Sequence, residues 1–299
     1  ELDYIINQFS KVKVNKMKPV IRTILRSSVY QMRYMDSVPD RAVCNEAVKL
    51  AAKRGFVNLK GFVNGVLRTI SRNREDIQLP DKTDMITYLS IVYSMPEWLV
   101  KQWLAVYDAD TVETMGKAFL ENKKTTIRKS PKAGDTTEFV KRLETEGVIV
   151  EPETQMKDVF YISGYDYLEK LQTFRNGEFY VQDISSMQVA EWADPKAGDV
   201  IIDVCAAPGG KSIHLAEKLD GTGMVEARDL TEYKVELLQE NIERSGLTNI
   251  CARVQDATVK DPESVGKADI VIADLPCSGL GILGRKPDLR YKMTPKMQE

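Results

Sequence analysis

The chain has 299 residues, 43% of them hydrophobic, with 42 Lys and Arg against 44 Asp and Glu, enough apolar content for packed cores and a length for about two domains. No apolar run approaches the ~18 residues of a membrane span, and the cysteines at 44, 205, 251 and 277 form no Cys-x-x-Cys pair, which argues against a membrane partner, a metal centre or a disulfide scaffold and for a reducing, cytoplasmic setting. The net charge of −2 hides an asymmetry, since residues 1–79 carry 15 basic and 7 acidic side chains and the remainder is acidic; a basic module suits phosphate binding, though the same charges would also serve merely to solvate helices.

In chain order, Met17 to Met35 reads as a helix with Ile21, Ile24, Leu25, Ser28 and Met32 at helical spacing. Pro39 and Asp40 open a second, with Val43, Ala47 and Leu50 inward and Gly55 as its stop. A third runs from Leu59 to Ser71 through Phe62, Val63, Val66, Leu67 and Ile70. No strand pattern interrupts them, so residues 1–78 are expected to form an all-α domain, closed by the Arg72 to Asp76 cluster and Pro80. Ile86 to Phe119 is helical again, broken at Pro96, with Trp98 and Trp103 as core anchors rather than base-stacking platforms. A small αβ pattern follows, with strands at 125–128, 148–150 and 159–162 and a helix from Thr136 to Glu146; residues 79–175 are thus expected to hold a helical linker and a small α+β subdomain.

The third segment, 176–299, is organised around VIIDVCAAPGGKS. Val200, Ile201, Ile202 and Val204 form a short apolar run suited to a buried parallel strand, interrupted by Asp203. Pro208, Gly209 and Gly210 turn the chain into a helix from Lys211 to Leu219, whose free N–H groups would border a crevice. A P-loop would need glycine where Cys205 stands, and a dinucleotide fingerprint would need more than the pair Gly209-Gly210. An ordinary tight turn remains open on these residues alone. A second strand from Met224 leads to Asp229, about 20 residues past the turn, where a carboxylate meets ribose hydroxyls in nucleotide-binding folds. A helix from Thr231 with Val235, Leu238 and Ile242 inward stops at Gly246; strands at 250–254 and 268–273 deliver Asp256 and then Asp274-Leu275-Pro276-Cys277-Ser278-Gly279.

These motifs, with Arg285-Lys286-Pro287-Asp288 and the upstream Gln182-Asp183-Ile184-Ser185-Ser186, resemble the Sun/Nop family of S-adenosylmethionine-dependent RNA cytosine-5 methyltransferases. The amino-terminal part resembles a NusB-like helical domain, which within the family points to bacterial enzymes acting on 16S ribosomal RNA. The resemblance implies an α/β fold class, with a Rossmann-like methyltransferase domain, C-terminally incomplete, preceded by the NusB-like RNA-binding domain and a small RNA-recognition-like subdomain. It implies that Cys205, Ala206, Ala207, Pro208, Gly209, Gly210 and Lys211 wrap the amino-acid end and ribose of S-adenosyl-L-methionine. Asp229 would hold the ribose, Asp256 would meet the adenine, and Asp274 would lie near the reacting centre. Arg285, Lys286 and Arg290 would meet RNA phosphates, and the partner would be 16S rRNA or a small-subunit assembly intermediate.

Carbon 5 of cytosine is a poor nucleophile until a thiolate adds to carbon 6. The resemblance gives Cys277, in Pro276-Cys277, the task of assisting release, while the attacking cysteine belongs to a Thr-Cys motif expected beyond Glu299. Attack by Cys277 itself, and a packing role in a tight turn, are the other two readings. The family's Arg-x-Asn element appears here as Arg128-Lys129-Ser130, and the single histidine, His214, reads as an ordinary helix residue rather than a base. The leading function is methyl transfer to carbon 5 of a cytosine in 16S rRNA. The rivals are a noncatalytic RNA-binding or ribosome-assembly protein that keeps the fold, and a small-molecule methyltransferase.

Overall fold

The computed structural model describes residues 1–121 and 124–298; the last position of the expected third segment, 299, lies outside them. It divides into two compact units, one of residues 1–121 with 278–298 and the other of 124–277.

The first unit is helical. α1 (Leu2–Phe9), α2 (Pro19–Tyr34), α3 (Asp40–Lys53) and α4 (Lys60–Arg72) bury one stripe each around Ile5, Ile6, Leu25, Ala51, Val63 and Leu67. α1 adds a helix that the periodicity leaves out, because an eight-residue segment with two core side chains carries little periodic signal. In α3 the buried face is Val43, Cys44, Ala47 and Ala51, so Leu50, expected inward, is turned to the surface. α5 (Met85–Val92), α6 (Glu97–Leu104) and α7 (Ala109–Leu120) enclose Leu89, Leu99, Val100 and Val112. Pro96 caps α6, and Asp84 and Asp108 accept hydrogen bonds from the first turns of α5 and α7. Trp98 and Trp103 pack half-buried against this cluster, Trp103 stacking on Phe119 with ring centroids 6.0 Å apart. Leu280, Leu283 and Leu289 join the same core.

The second unit contains two sheets. β1 (Thr125–Lys129), α8 (Thr136–Thr145), β2 (Ile149–Pro152), β3 (Val159–Ser163), a single turn α9 (Gln172–Arg175) and β4 (Phe179–Val181) make an antiparallel sheet of order β2-β3-β1-β4. Its core holds Ile127, Phe139, Leu143, Ile162 and Phe179. β4 belongs to this sheet although it falls within the segment read from sequence as the start of the third domain.

After α10 (Ile184–Ala193) the parallel sheet begins: β5 (Val200–Asp203), α11 (Gly210–Lys218), β6 (Met224–Asp229), α12 (Glu232–Ser245), β7 (Ile250–Val254) and β8 (Ile270–Ile272). The order β7-β6-β5-β8 places the first strand beside both the second and the fourth, with register pairs Asp203↔Ala227 and Asp203↔Ile272. This reversal of direction from β5 is the switch point at which open α/β sheets form a ligand crevice. Gly246 ends α12 in the left-handed region, φ 73°, as its place in the sequence predicts.

Candidate functional site

Three consecutive parallel strands bring carboxylates to one end of the sheet. β5 ends in Asp203, 1% exposed, whose carboxylate accepts from Ser212 Oγ at 2.7 Å and from the Cys205 N–H at 3.4 Å. One buried group therefore ties the strand end to the start of α11. Burial pushes this carboxyl above its ordinary value, against the opposing pull of the Ser212 hydrogen bond.

Between them the turn from Cys205 to Gly209 is held from β6. The Ala206 N–H donates to the Arg228 carbonyl at 2.8 Å, and the Ala207 N–H to Asp229 Oδ2 at 3.1 Å. Gly209 adopts φ 107°, a backbone that favours glycine, and a Cβ built there would stand 2.7 Å from Leu238 Cδ1, so a side chain would also displace the tip of Leu238. Gly210 opens α11 with the Gln182 side chain close beside it, 3.8 Å from where a Cβ would be.

Asp229 is the hub. It is buried, and besides Ala207 it accepts from the Leu230 N–H at 2.8 Å and from Lys234 Nζ at 2.9 Å. Burial would raise its carboxyl, but the Lys234 ammonium and the two backbone donors outweigh that and hold it below the usual carboxylate range. A carboxylate offers about four lone-pair sites, so with these three donors in place it retains acceptor capacity for a hydroxyl. The sequence reading did not single out Lys234 or Ser212; the only signal was their position in the first turns of α12 and α11.

Around the rim, the Gln255 N–H donates to the Asp229 carbonyl at 2.9 Å, which sets Asp256 next to β6. The Asp256 carboxylate accepts from the Thr258 hydroxyl at 2.7 Å and its N–H at 2.8 Å, and those two bonds lower its pKa. Lys211 Nζ reaches Asp274 Oδ2 at 2.5 Å, fastening the loop after β8 to the cofactor-type turn. Three residues on, Cys277 is exposed and is a free thiol, which removes the packing reading of a buried turn residue. Thus the structure brings together the Cys205 to Lys211 turn, Asp229 and Asp274, with Asp256 at the margin.

The three basic candidates belong to the first unit. Arg285 and Lys286 are at the surface. Arg290 is not: it is buried, and its guanidinium donates to the carbonyls of Phe119 at 2.9 Å, Leu283 at 3.3 Å and Tyr93 at 3.4 Å. The phosphate role expected for Arg290 is therefore corrected to a structural one, because the side chain is buried and both Nη groups already donate to main-chain carbonyls in the core. In the second unit, Ser130 is also buried and donates to Glu217 Oε1 at 2.7 Å, and Arg128 pairs with the same carboxylate. This element serves as an internal brace. His214 is buried on α11, with burial pushing its imidazole down to about 2. Among the described residues no cluster of three His, Cys, Asp or Glu has a metal-holding arrangement, and no helix is long and apolar enough to cross a membrane.

Two family models match: the NusB family over residues 1–72, and the family described as 16S rRNA methyltransferase RsmB/F over residues 190–298. The probable ribosomal RNA small subunit methyltransferase B of Bacillus subtilis (strain 168) is 39% identical over 98% of this chain, and that of Synechocystis sp. 33% identical over 98%. The chain spans 65% and 66% of the length of these two relatives. Among solved structures, that of PH0851 superposes with a TM-score of 0.80 at 25% identity, covering 99% of this chain and 67% of its own. NSun6 from Pyrococcus horikoshii with SFG, at 22% identity and a TM-score of 0.60 over 67% of this chain and 75% of its own, shares the fold.

Proposed function

The chain belongs to the 16S rRNA methyltransferase RsmB/F family and carries a NusB-family segment at its amino end, and from that premise we propose that it is the cofactor- and RNA-binding part of an enzyme that methylates carbon 5 of a cytosine in 16S rRNA. The cofactor is S-adenosyl-L-methionine, which when bound supplies an electrophilic methyl group.

The observation that carries the reading is the double tie of the Cys205 to Lys211 turn, to Asp203 through Ser212 and to Asp229 through Ala207. It fixes a glycine turn and a helix start at the carboxyl ends of adjacent parallel strands. The residues fit the cofactor. Gly209 and Gly210 let backbone approach it closely, the remaining acceptor capacity of Asp229 suits a ribose hydroxyl, and Asp256 stands one strand further, toward the adenine. Lys211 and Asp274, paired at the rim, would meet its amino-acid end.

On the RNA side, a thiolate adding to carbon 6 of cytosine makes carbon 5 nucleophilic; loss of the carbon-5 proton and elimination of the thiolate then restore the ring. We assign Cys277 to the release step, since its thiol is exposed beside a loop anchored through Asp274. Arg285 and Lys286, with the basic helices of residues 1–78, supply phosphate contacts. We propose the division of tasks among residues 1–78, 79–175 and 176–299, with β4 counted to the middle segment, to whose sheet it belongs.

Transfer from labelled cofactor to 16S rRNA, followed by nucleoside analysis, tests the reaction. The reading expects 5-methylcytidine as the labelled product. A methylated base of any other kind, or methylation at a ribose, contradicts the carbon-5 assignment. With Cys277→Ala in an enzyme that supplies the attacking cysteine, a covalent RNA adduct should accumulate on a denaturing gel; full activity without adduct would remove Cys277 from the mechanism.

A further inference from the structure

A cleft of about 690 Å³ lies within the second unit, on the flank of α11 rather than at its start. β1, the loop 155–158, α10 and the later turns of α11 line it, and no residue of the Cys205 to Lys211 turn is among its described lining. That volume is in the range of small-ligand sites, which run to roughly 300–1,000 Å³.

Its charges are unequal in availability. The three carboxylates are all engaged: Glu217 with Arg128 and Ser130, Glu191 with Lys218 at 2.8 Å and His214 Nε2 at 3.3 Å, and Asp158 with Lys129 at 3.3 Å and the Thr136 hydroxyl at 3.0 Å. Lys157, at the exposed lip, has no ion-pair partner among the described residues. An incoming anion therefore meets one free ammonium and no free carboxylate. Two buried wall residues also have unsatisfied nitrogens, Arg128 Nη2 and His214 Nδ1. Buried polar atoms of this kind ordinarily have a partner, and both of these belong to residues that line the cleft. The lining beside Lys157 is of another character, with the Met156 and Pro131 side chains as apolar surface and the Gln155 amide as a donor and acceptor.

An anion alone would leave the apolar lining and the amide unused. A ligand that joins a phosphate to a flat, hydrogen-bonding ring uses all three. We infer that this cleft binds one nucleotide of an RNA strand, its phosphate at Lys157 and its base against Met156 and beside Gln155, at a place separate from the cofactor turn. The inference rests on the proposed RNA substrate and adds a second foothold for it, outside the basic helices.

The test uses Lys157→Glu and Gln155→Ala, both at exposed positions, with unchanged thermal unfolding and unchanged S-adenosylmethionine affinity as controls. Fluorescence anisotropy with a labelled single-stranded RNA dodecamer is measured over a salt series, and free CMP and inorganic phosphate are titrated separately. For Lys157→Glu the dodecamer affinity should fall about tenfold and the salt slope should drop by about 0.7, as for loss of one phosphate contact to a single strand. Gln155→Ala should lower affinity with no change of slope, which a general surface-charge effect would not produce. Dodecamer affinity and slope indifferent to both substitutions would overturn the inference. CMP binding that Lys157→Glu abolishes, with dodecamer binding untouched, would overturn the strand as source in favour of a free nucleotide. Phosphate binding as tightly as CMP would overturn the base contacts. The proposed reaction has its own readout: a chain that still yields 5-methylcytidine but ignores Lys157→Glu loses the cleft and keeps the function, whereas one that binds no RNA at all loses both.

Discussion

In the helical core of residues 1–72 two of the three described ion pairs lie toward the surface, Arg26 with Asp3 at 2.5 Å and side chains 41% and 42% exposed, and Lys49 with Glu46 at 2.8 Å and 73% and 70% exposed, while Arg33 with Glu1 is 28% and 9% exposed. The α/β unit has surface pairs too, such as Lys170 with Asp166, but it also places charged groups inside. Arg128 and Glu217 are 7% and 5% exposed, and Asp203 and Asp229 are almost fully buried with every contact specified. The two regions spend charge differently. Surface pairs in high dielectric contribute little to stability and leave the cations available to a polyanion, whereas buried ones fix the relative position of strands, helices and turns.

The largest expected effect breaks this contrast directly. Glu217→Ala would leave the Arg128 guanidinium buried without its carboxylate and should cost about 3–5 kcal/mol. Glu46→Ala, its surface counterpart, should cost at most about 0.5 kcal/mol. Urea unfolding of both variants measures the difference, and equal losses would show that burial does not separate the regions.

Next is Gly209→Ala. The left-handed backbone and the approach to Leu238 should together cost about 1–3 kcal/mol and loosen the turn. Gly55→Ala, in the helical unit, shares a positive φ but meets no atom within 4 Å, so it should lose less. Thermal unfolding of the two variants ranks them.

Acid sharpens the comparison within the sheet. The folded Asp229 carboxyl lies below its ordinary value, so its contribution is present above that value and is lost as pH falls through the folded one. Asp203 has the opposite sign: its folded carboxyl is raised, so ionising it is a burden that acidification relieves. Below about pH 4, Asp229→Asn should therefore flatten the acid loss of stability, whereas Asp203→Asn should remove a gain that acidification brings just above that pH, between its raised folded value and the ordinary one. A common direction for both variants would contradict the assigned environments.

The smallest effect on stability should accompany a clear one on RNA. Reversing the exposed Lys53, Arg54 and Lys60 together should shift unfolding by no more than about 0.5 kcal/mol per site. If these cations contact phosphates, the salt slope of RNA binding should fall by about 2 for three lost contacts to a single strand. An unchanged slope would mean that the basic side chains only solvate the helices.

The same contrast decides what the sequence could disclose. α2 and α4 were legible because Ile21, Ile24, Leu25 and Met32, or Val63, Val66, Leu67 and Ile70, repeat at helical spacing with a polar face between them. Leu50 misled because the neighbouring Ala51 and Cys44 are small enough to pack closer, rotating the buried face of α3 by one position. At the sheet, the strand, turn and helix order and the Asp229 spacing were visible in VIIDVCAAPGGKS and the run that follows. The partners of those carboxylates were not, because Ser212 to Asp203 and Lys234 to Asp229 are contacts set by the crossing of elements rather than by local pattern. Arg290 shows the limit most plainly. A run of cations in a loop reads as a phosphate site, and only packing reveals that one of them turns inward to main-chain carbonyls.

The central claim is that Asp229, by holding the Ala207 N–H while keeping an acceptor for the ligand, makes the Cys205 to Lys211 turn a cofactor site. Calorimetric titration of the chain and of Asp229→Ala with S-adenosylmethionine tests it. The account predicts saturable one-to-one binding to the unaltered chain, weakened by about 1–3 kcal/mol in the variant, with no binding of a nicotinamide dinucleotide to either. An affinity that Asp229→Ala leaves unchanged, or dinucleotide binding in place of S-adenosylmethionine, would contradict it.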